Sequence, residues 1–366
     1  MVNHLGNWKN GELGDFVTLK RGFDLPQQKR EDGQVPIFSS SGITGTHSTA
    51  MVKAPGVITG RYGTIGEVFY AAKDFWPLNT TLFVEDFHGN DAKFIYYFLK
   101  TLEWSKFTSA SAVPGINRNT VHKEIVSLPD IETQKRIAST LSMFDEKIKI
   151  NTEINDNLQQ QAAALFSSLY DRSNTEVRFT DLIQILGGGT PKTGENTYWN
   201  GNIAFFTPKD VGTPYTLITE KTISKEGLSH CNSRLYPVNT VFVTARGTVG
   251  KVGMFGVPMA MNQSCYALVG KETHQLLVYF YTLKAVDRLK HKASGAVFDA
   301  ITTRDFESEQ IMKLSDDDAT AFLRVAEPMF QEVLNNNMEN LRLSTLRDSL
   351  LPKLMSGEID VSAVQL

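Results

Sequence analysis

Glycine-flanked segments in both halves of the chain carry side chains suited to touching nucleic acid. Lys20 and Arg21 follow the run Phe16-Val-Thr-Leu19. Arg61 and Tyr62 sit inside Gly60-Arg-Tyr-Gly-Thr-Ile-Gly66, Asn79 precedes Leu82-Phe-Val84, and Arg118 lies in Gly115-Ile-Asn-Arg-Asn119. In the second half Lys192, Tyr198, Trp199, Lys209, Arg246, Lys251, Asn262, Gln263 and Arg304 occupy comparable loop positions. A guanidinium can grip guanine through two parallel hydrogen bonds, an Asn or Gln amide can do the same with adenine, and a lysine mostly positions phosphate. Each residue taken alone also reads as a solvated surface group, so the argument rests on the set. Gly63, Gly66, Gly247 and Gly250 read as turn formers rather than ligand contacts.

Catalytic constellations are harder to assemble. Gly187-Gly-Gly-Thr-Pro-Lys-Thr193 has the glycine content of a phosphate loop, but Pro191 precedes Lys192 and the GK[ST] order is missing. There is no strand-linked GxGxxG and no Asn-Pro-Pro-aromatic run, which argues against a built-in methyltransferase. Asp130, Glu132 and Lys135 superficially resemble a nuclease set, yet they crowd one helical start, where capping and solvation explain them. The seven histidines form neither HExxH nor a Ser/His/Asp arrangement. Cys231 and Cys265 make no CxxC pair and read as buried free thiols. The expectation is a chain with no catalytic site, metal or cofactor of its own.

At 366 residues the chain calls for two or three domains. Its 41% hydrophobic and 21% charged residues, with no eighteen-residue apolar run and no leader over residues 1–8, imply a cytoplasmic protein without a membrane partner. The net charge of -3 runs against phosphate binding, but its distribution is uneven. Residues 1–130 hold 13 basic and 13 acidic residues, 176–314 hold 15 and 12, and the remainder holds 9 and 15. The acid is concentrated in segments that read as helices, which leaves the loops free to present local positive charge.

Those loops repeat at half the chain length. Gly56-Val-Ile-Thr-Gly-Arg-Tyr-Gly-Thr-Ile-Gly66 reads as a strand ending in a glycine turn, and Thr240-Val-Phe-Val-Thr-Ala-Arg-Gly-Thr-Val-Gly250 repeats it 184 residues later. Asn79 and Asn262 each precede another strand, and Phe94-Ile-Tyr-Tyr-Phe-Leu-Lys100 and Leu277-Val-Tyr-Phe-Tyr-Thr-Leu-Lys284 each open an aromatic helix. One supersecondary plan is used twice.

Each copy is followed by a heptad pattern. Ile137, Leu141, Phe144, Ile148, Asn151, Asn155, Leu158, Ala162, Leu165 and Leu169 alternate steps of four and three, and adding 185 gives Phe322, Ala326, Met329, Val333, Asn336, Asn340, Leu343, Arg347, Leu350 and Leu354. Arg347 is the charged intruder, and Pro328 predicts a kink or a late start to the second helix. A helix of this length, about 60 Å at 1.5 Å per residue, reads as a spacer. The asparagines fit a buried pair that sets register, but Ile150 and Ile154 could carry the seam instead, and the pattern leaves both arrangements open.

Leu128-Pro-Asp-Ile-Glu-Thr-Gln-Lys-Arg-Ile-Ala-Ser-Thr-Leu141 with Phe144-Asp-Glu-Lys-Ile148 resembles the first conserved helical region of the specificity (S) subunit of type I restriction-modification systems. Leu346-Arg-Asp-Ser-Leu-Leu-Pro-Lys-Leu-Met-Ser-Gly-Glu-Ile359 resembles the close of the second, and Gly187-Gly-Gly-Thr-Pro191, Tyr198-Trp-Asn-Gly201 and Arg246-Gly-Thr-Val-Gly250 are similar to patterns of its target-recognition domains. The resemblance implies an α+β fold of two tandem α/β target-recognition domains, each followed by a long helix, the helices packing as an antiparallel coiled coil with pseudo-two-fold symmetry. The expected boundaries are 1–130 and 173–314 for the recognition domains, 131–172 and 315–357 for the helices, and 358–366 for a tail. It further implies that each domain reads half of a bipartite target in double-stranded DNA, while the helices set the gap and dock two methylation (M) subunits. S-adenosylmethionine, ATP and Mg are then expected on the partners, which include restriction (R) subunits in the full complex. The second helix start, Lys313-Leu-Ser-Asp-Asp-Asp-Ala-Thr320, lacks the Pro and Glu-Gln pattern of the first. A coiled-coil scaffold with protein-binding domains and a DNA-modifying enzyme of unfamiliar type are the alternative readings.

Overall fold

The computed structural model describes residues 8–108, 114–292 and 299–361. The expected absence of a leader over 1–8 and most of the 358–366 tail therefore lie outside the described residues. The chain forms two compact units, Met1–Lys147 with Arg342–Leu366 and Ile148–Leu341, so each unit takes part of both long helices.

In the first unit, Lys9–Glu12 pairs antiparallel with Ile125–Leu128, the strand that leads into the first long helix. Between them lies a four-stranded sheet in the order Thr18–Arg21, Thr81–Asp86, Gly56–Gly60, Val68–Ala71. A three-stranded sheet has the order Gly42–His47, Val35–Ser39, Trp76–Pro77. Strand Gly56–Gly60 is buried at every position because alternate side chains enter two different cores. Val57, Leu82 and Val84 pack with Phe94 and Phe98 of the helix Ala92–Lys100. Ile58 and Phe83 point the other way, to Phe38 and Phe75. Burying one such side chain fully is worth roughly 1.5–3 kcal/mol, which fixes the register of these strands.

The second unit repeats the plan. Thr175–Arg178 pairs antiparallel with Gln310–Lys313. A five-stranded sheet runs Ile183–Gly187, Cys265–Gly270, Val241–Thr244, Val252–Phe255, Tyr215–Thr216, the last strand being an addition over the first unit. A three-stranded sheet runs Lys221–Ile223, Trp199–Phe206, Met259–Met261. In both small sheets the middle strand pairs antiparallel with one neighbour and parallel with the other. Val241 and Val243 enter one core while Phe242 enters the other.

The long helices are Ile131–Asp171 and Asp316–Met355. Asp130 opens the first by accepting from the Glu132 and Thr133 amides, each at 3.0 Å, and Lys135 pairs with Glu132 at 2.9 Å. These contacts account for the three residues as capping and surface charge. Ser315 opens the second by accepting from the Asp318 amide at 3.1 Å. The helix thus begins twelve residues before Pro328, so the late start predicted from that proline does not occur.

Within the second unit, Asn151 donates to Asn340 at 2.9 Å and Asn336 donates to Asn155 at 2.9 Å. A rising number on one helix meets a falling number on the other, as in an antiparallel pair. Asn151, Asn155 and Asn336 are buried and Asn340 is half-buried, while Ile150 and Ile154 are 51% and 41% exposed, so the isoleucines do not carry the seam. Within the first unit the intruder Arg347 ion-pairs with Asp145 at 2.5 Å. Ile137, Leu141, Leu169, Phe322, Val333 and Leu354 are buried, whereas Phe144, Ile148, Leu158, Leu165, Met329, Leu343 and Leu350 are only half-buried. The apolar face is wider than a heptad seam because each helix also packs on a domain. Phe166, outside the seam, stacks on Phe280 at 4.9 Å and meets Phe322 at 5.5 Å.

Candidate nucleic-acid interface

In the first unit the turn Gly60–Gly66 links two buried strands, and its backbone is tied to two other loops. The amides of Arg61 and Tyr62 donate to Thr80 O at 2.9 and 3.2 Å, and the Ile116 amide donates to Arg61 O at 3.0 Å. Gly63 and Gly66 have φ of +75° and +83°, a region that favours glycine. A fourth segment approaches so closely that a Cβ on Gly22 would lie 2.2 Å from Leu78 O. These contacts gather Asp24, Arg61, Tyr62 and Asn79 onto neighbouring loops, with Arg118 two residues after Ile116. The Arg61 guanidinium lies 4.4 Å from the centre of the Tyr62 ring, and its Nε donates to Ile116 O at 3.3 Å. Asn79 Nδ2 donates to Asp24 Oδ1.

The second unit rebuilds this arrangement bond for bond. The amides of Ala245 and Arg246 donate to Ser264 O at 2.8 and 3.2 Å, and the Ile301 amide donates to Ala245 O at 2.9 Å. Gly247 and Gly250 have φ of +81° and +72°, and a Cβ on Gly188 would lie 2.1 Å from Asn262 O. The Asn262 amide donates to Phe206 O at 3.0 Å, which brings in the turn Pro208–Asp210 with Lys209. Lys192, Lys209, Arg246, Asn262 and Gln263 therefore lie on one cluster of loops, with Thr190 Oγ1 donating to Gln263 Oε1. Arg118, Lys192, Lys209, Arg246, Lys251 and Arg304 are exposed and form no ion pair among the described residues. Uncompensated cations beside amides and an aromatic ring can hold a polyanion while offering donors and acceptors to base edges.

A family model of the type I restriction modification DNA specificity domain matches residues 6–160 and again residues 172–313. The chain belongs to this family. It is 24% identical over 345 residues to the type I restriction enzyme HindI specificity subunit of Haemophilus influenzae, with 71% of this chain and 75% of that protein covered. It is 21% identical over 303 residues to the MjaIX specificity subunit of Methanocaldococcus jannaschii, covering 75% of this chain and 70% of that one. The crystal structure of a type I restriction-modification system S subunit from M. genitalium has the same fold, with a TM-score of 0.67 at 17% identity and 97% of each chain covered.

Several residues singled out in the sequence sit elsewhere than expected. Lys20 and Arg21 do not follow a strand but lie within Thr18–Arg21, where Lys20 pairs with Glu85 at 2.5 Å and Arg21 is exposed. Arg118 and Arg304 are not in open loops; they occupy the first turns of the short helices Arg118–His122 and Thr303–Ser308. Tyr198 stacks on His230 at 4.9 Å, and Trp199 begins a strand, packs edge-on against Phe205 at 5.5 Å and donates from Nε1 to Lys192 O at 3.3 Å. Both residues are half-buried, and the His230 on which Tyr198 stacks is exposed. Lys251 directly follows the second glycine turn. Cys265 is buried, which pushes its thiol up to about 12, while Cys231 is only half-buried because it ends an exposed turn. Burial, reinforced by Arg118 and His88, lowers the His122 pKa, and its Nε2 accepts the Leu19 amide at 2.8 Å.

Three residues escaped the sequence reading. Asp24 and Thr190 follow Gly22 and Gly188-Gly189, and those glycines are the signal that marks a close backbone approach. Gln134 is 2% exposed; it donates to Asn90 Oδ1 at 2.7 Å and Pro129 O at 2.9 Å, and accepts the Asp91 amide at 3.0 Å. It ties the start of the first long helix to the cap of the aromatic helix. Among the described residues no group of three or more His, Cys, Asp or Glu could hold a metal, and no helix is long and apolar enough to cross a membrane.

Proposed function

We propose that this chain is the DNA sequence-recognition subunit of a type I restriction-modification complex, each unit reading one half of a bipartite, asymmetric target. The observation that carries this reading is the same loop cluster built twice, with equivalent backbone bonds and different side chains, in a chain that the specificity-domain model matches twice. Equivalent frames with different side chains suit two different half-sequences. Exposed, unpaired cations supply phosphate attraction, and Arg246, Asn79 and Gln263 supply direct base contacts. The long helices set the unspecified gap and dock two methylation subunits. Restriction subunits join in the full complex. Methyl transfer with S-adenosylmethionine, and cleavage with ATP and Mg, belong to those partners in a prokaryotic cytoplasm.

The test is to map N6-methyladenine in DNA from cells carrying this chain with a methylation subunit encoded beside it. A two-part motif with a fixed gap is the expected result. A contiguous palindrome, or no motif, sinks the reading. Salt-dependent DNA binding by the purified chain separates it from a protein-binding scaffold, which would show no such slope.

A further inference from the structure

The two loop clusters differ at one pair of equivalent positions in a way that reverses hydrogen-bonding polarity. Gly22 and Gly188 are equivalent, since a Cβ on either would strike the carbonyls of Leu78 and Pro77, or of Asn262 and Met261, at almost the same distances. Two residues further on stand Asp24 and Thr190. Thr80 and Ser264 are equivalent too, each accepting two amides from its glycine turn, and just before them stand Asn79 and Gln263. Asp24 therefore faces Asn79 as Thr190 faces Gln263.

The chemistry of each partner decides which end of the amide is left over. An ionised carboxylate only accepts, so Asp24 holds the Asn79 amide by its nitrogen and leaves Oδ1 without a partner among the described residues. Thr190 donates to Gln263 Oε1 and leaves the amide nitrogen over. Asp24 is exposed and forms no ion pair among the described residues. A lone carboxylate facing the phosphate backbone would be repelled, so its place suits a base edge that carries an amino group.

We propose that Asp24 and Thr190 are specificity-determining residues that set the polarity of the neighbouring amide. Asp24 fixes Asn79 as an acceptor for the exocyclic amino group of adenine or cytosine. Thr190 presents Gln263 as a donor to guanine O6 or N7 or to thymine O4. The first amide is locked, because a carboxylate cannot donate. The second can turn over, because a hydroxyl also accepts. This inference rests on the DNA-reading function proposed above and names which atoms do the reading.

The test compares methylation motifs in cells carrying the methylation subunit with the unsubstituted chain, Asp24→Thr, Asp24→Asn or Thr190→Asp. Asp24→Thr is expected to change or relax one base of the first half-sequence, lowering the preference there by about tenfold or more, with the second half-sequence intact. Asp24→Asn keeps the shape, removes the obligate acceptor and is expected to relax the same base. Thr190→Asp is expected to alter one base of the second half-sequence alone. The two substituted positions, Asp24 and Thr190, are exposed, and thermal melts of the variants check that each is folded. Wild-type motifs methylated uniformly less, or an Asp24→Asn variant identical to wild type, would overturn the assignment. An unsubstituted chain that yields no two-part motif overturns the underlying function, a failure visible before any variant is made.

Discussion

Asn336 Nδ2 donates to Asn155 Oδ1 at 2.9 Å with both side chains at least 95% buried, and Asn155 Nδ2 passes the bonding on to Asn337 Oδ1 at 2.9 Å. An isolated amide in such a seam costs stability, whereas a matched set fixes which residues lie opposite each other. Asn155→Leu leaves the Asn336 amide and Asn337 Oδ1 unpaired and is expected to cost about 1–3 kcal/mol. Adding Asn336→Leu should recover part of that loss, because two leucines can pack where two amides bonded. Thermal melts of the wild type, both single variants and the double variant form the cycle, and a double variant as unstable as the sum of the singles would remove the pairing argument.

The four turn glycines are not equally replaceable. A Cβ on Gly66 would lie 2.7 Å from the Trp104 side chain, whereas one on Gly247 would meet nothing nearer than Pro208 at 4.0 Å. Both have positive φ, which alone costs a non-glycine residue roughly 1–2 kcal/mol. Gly247→Ala should pay only that strain. Gly66→Ala must also displace a buried tryptophan and should melt lower than Gly247→Ala by differential scanning calorimetry; equal melting temperatures would mean that the turn adjusts freely.

On the proposed DNA-reading function, Arg246 is assigned to a base and Lys192 to phosphate, and the two roles can be separated by experiment. Arg246 lies inside the second glycine turn, and its amide is held by Ser264, so its stem leaves a fixed frame. Arg246→Ala in the methylation complex is expected to weaken binding of the cognate duplex by about 1–3 kcal/mol and to relax one base of the second half-sequence. Lys192→Ala should weaken all duplexes alike and reduce the slope of log affinity against log salt by about 1. Binding titrations at several salt concentrations read both effects, and a Lys192→Ala variant with an altered sequence preference would contradict the division.

The repeat was legible in the sequence because its features are local. Glycine turns need glycine, strands buried on both faces need unbroken apolar runs such as Val241-Phe-Val243, and a heptad seam repeats every seven residues. Contacts made across the chain left no such trace. Asp24 meets Asn79 from 55 residues away and Thr190 meets Gln263 from 73, so only the glycines beside them hinted at the approach. Phe166 escaped because a seam describes one face, while this helix buries a second against Phe280. Trp199 looked like a loop aromatic until strand pairing placed it opposite Ile223.

His122 gives the first unit an acid-sensitive point. Its Nε2 must be unprotonated to accept the Leu19 amide, and burial, together with Arg118 and His88, lowers its pKa below the ordinary 6.5. In the unfolded chain the imidazole takes up a proton near pH 6.5 that the folded chain resists. The stability it contributes is therefore complete above that pH and is lost as the pH falls from about 6.5 toward the lowered folded value. Asp74 is held below its ordinary 3.8 first by the hydrogen bond from Lys53, and Asp181 and Asp318 by those from Arg178 and Arg172, so their contributions fade only in more acid solution. Denaturant midpoints measured from pH 7.5 to 5 should decline for the wild type. His122→Gln, whose amide oxygen can accept from Leu19 without titrating, should flatten that decline, and a variant with the same slope as wild type would place the acid sensitivity in another group.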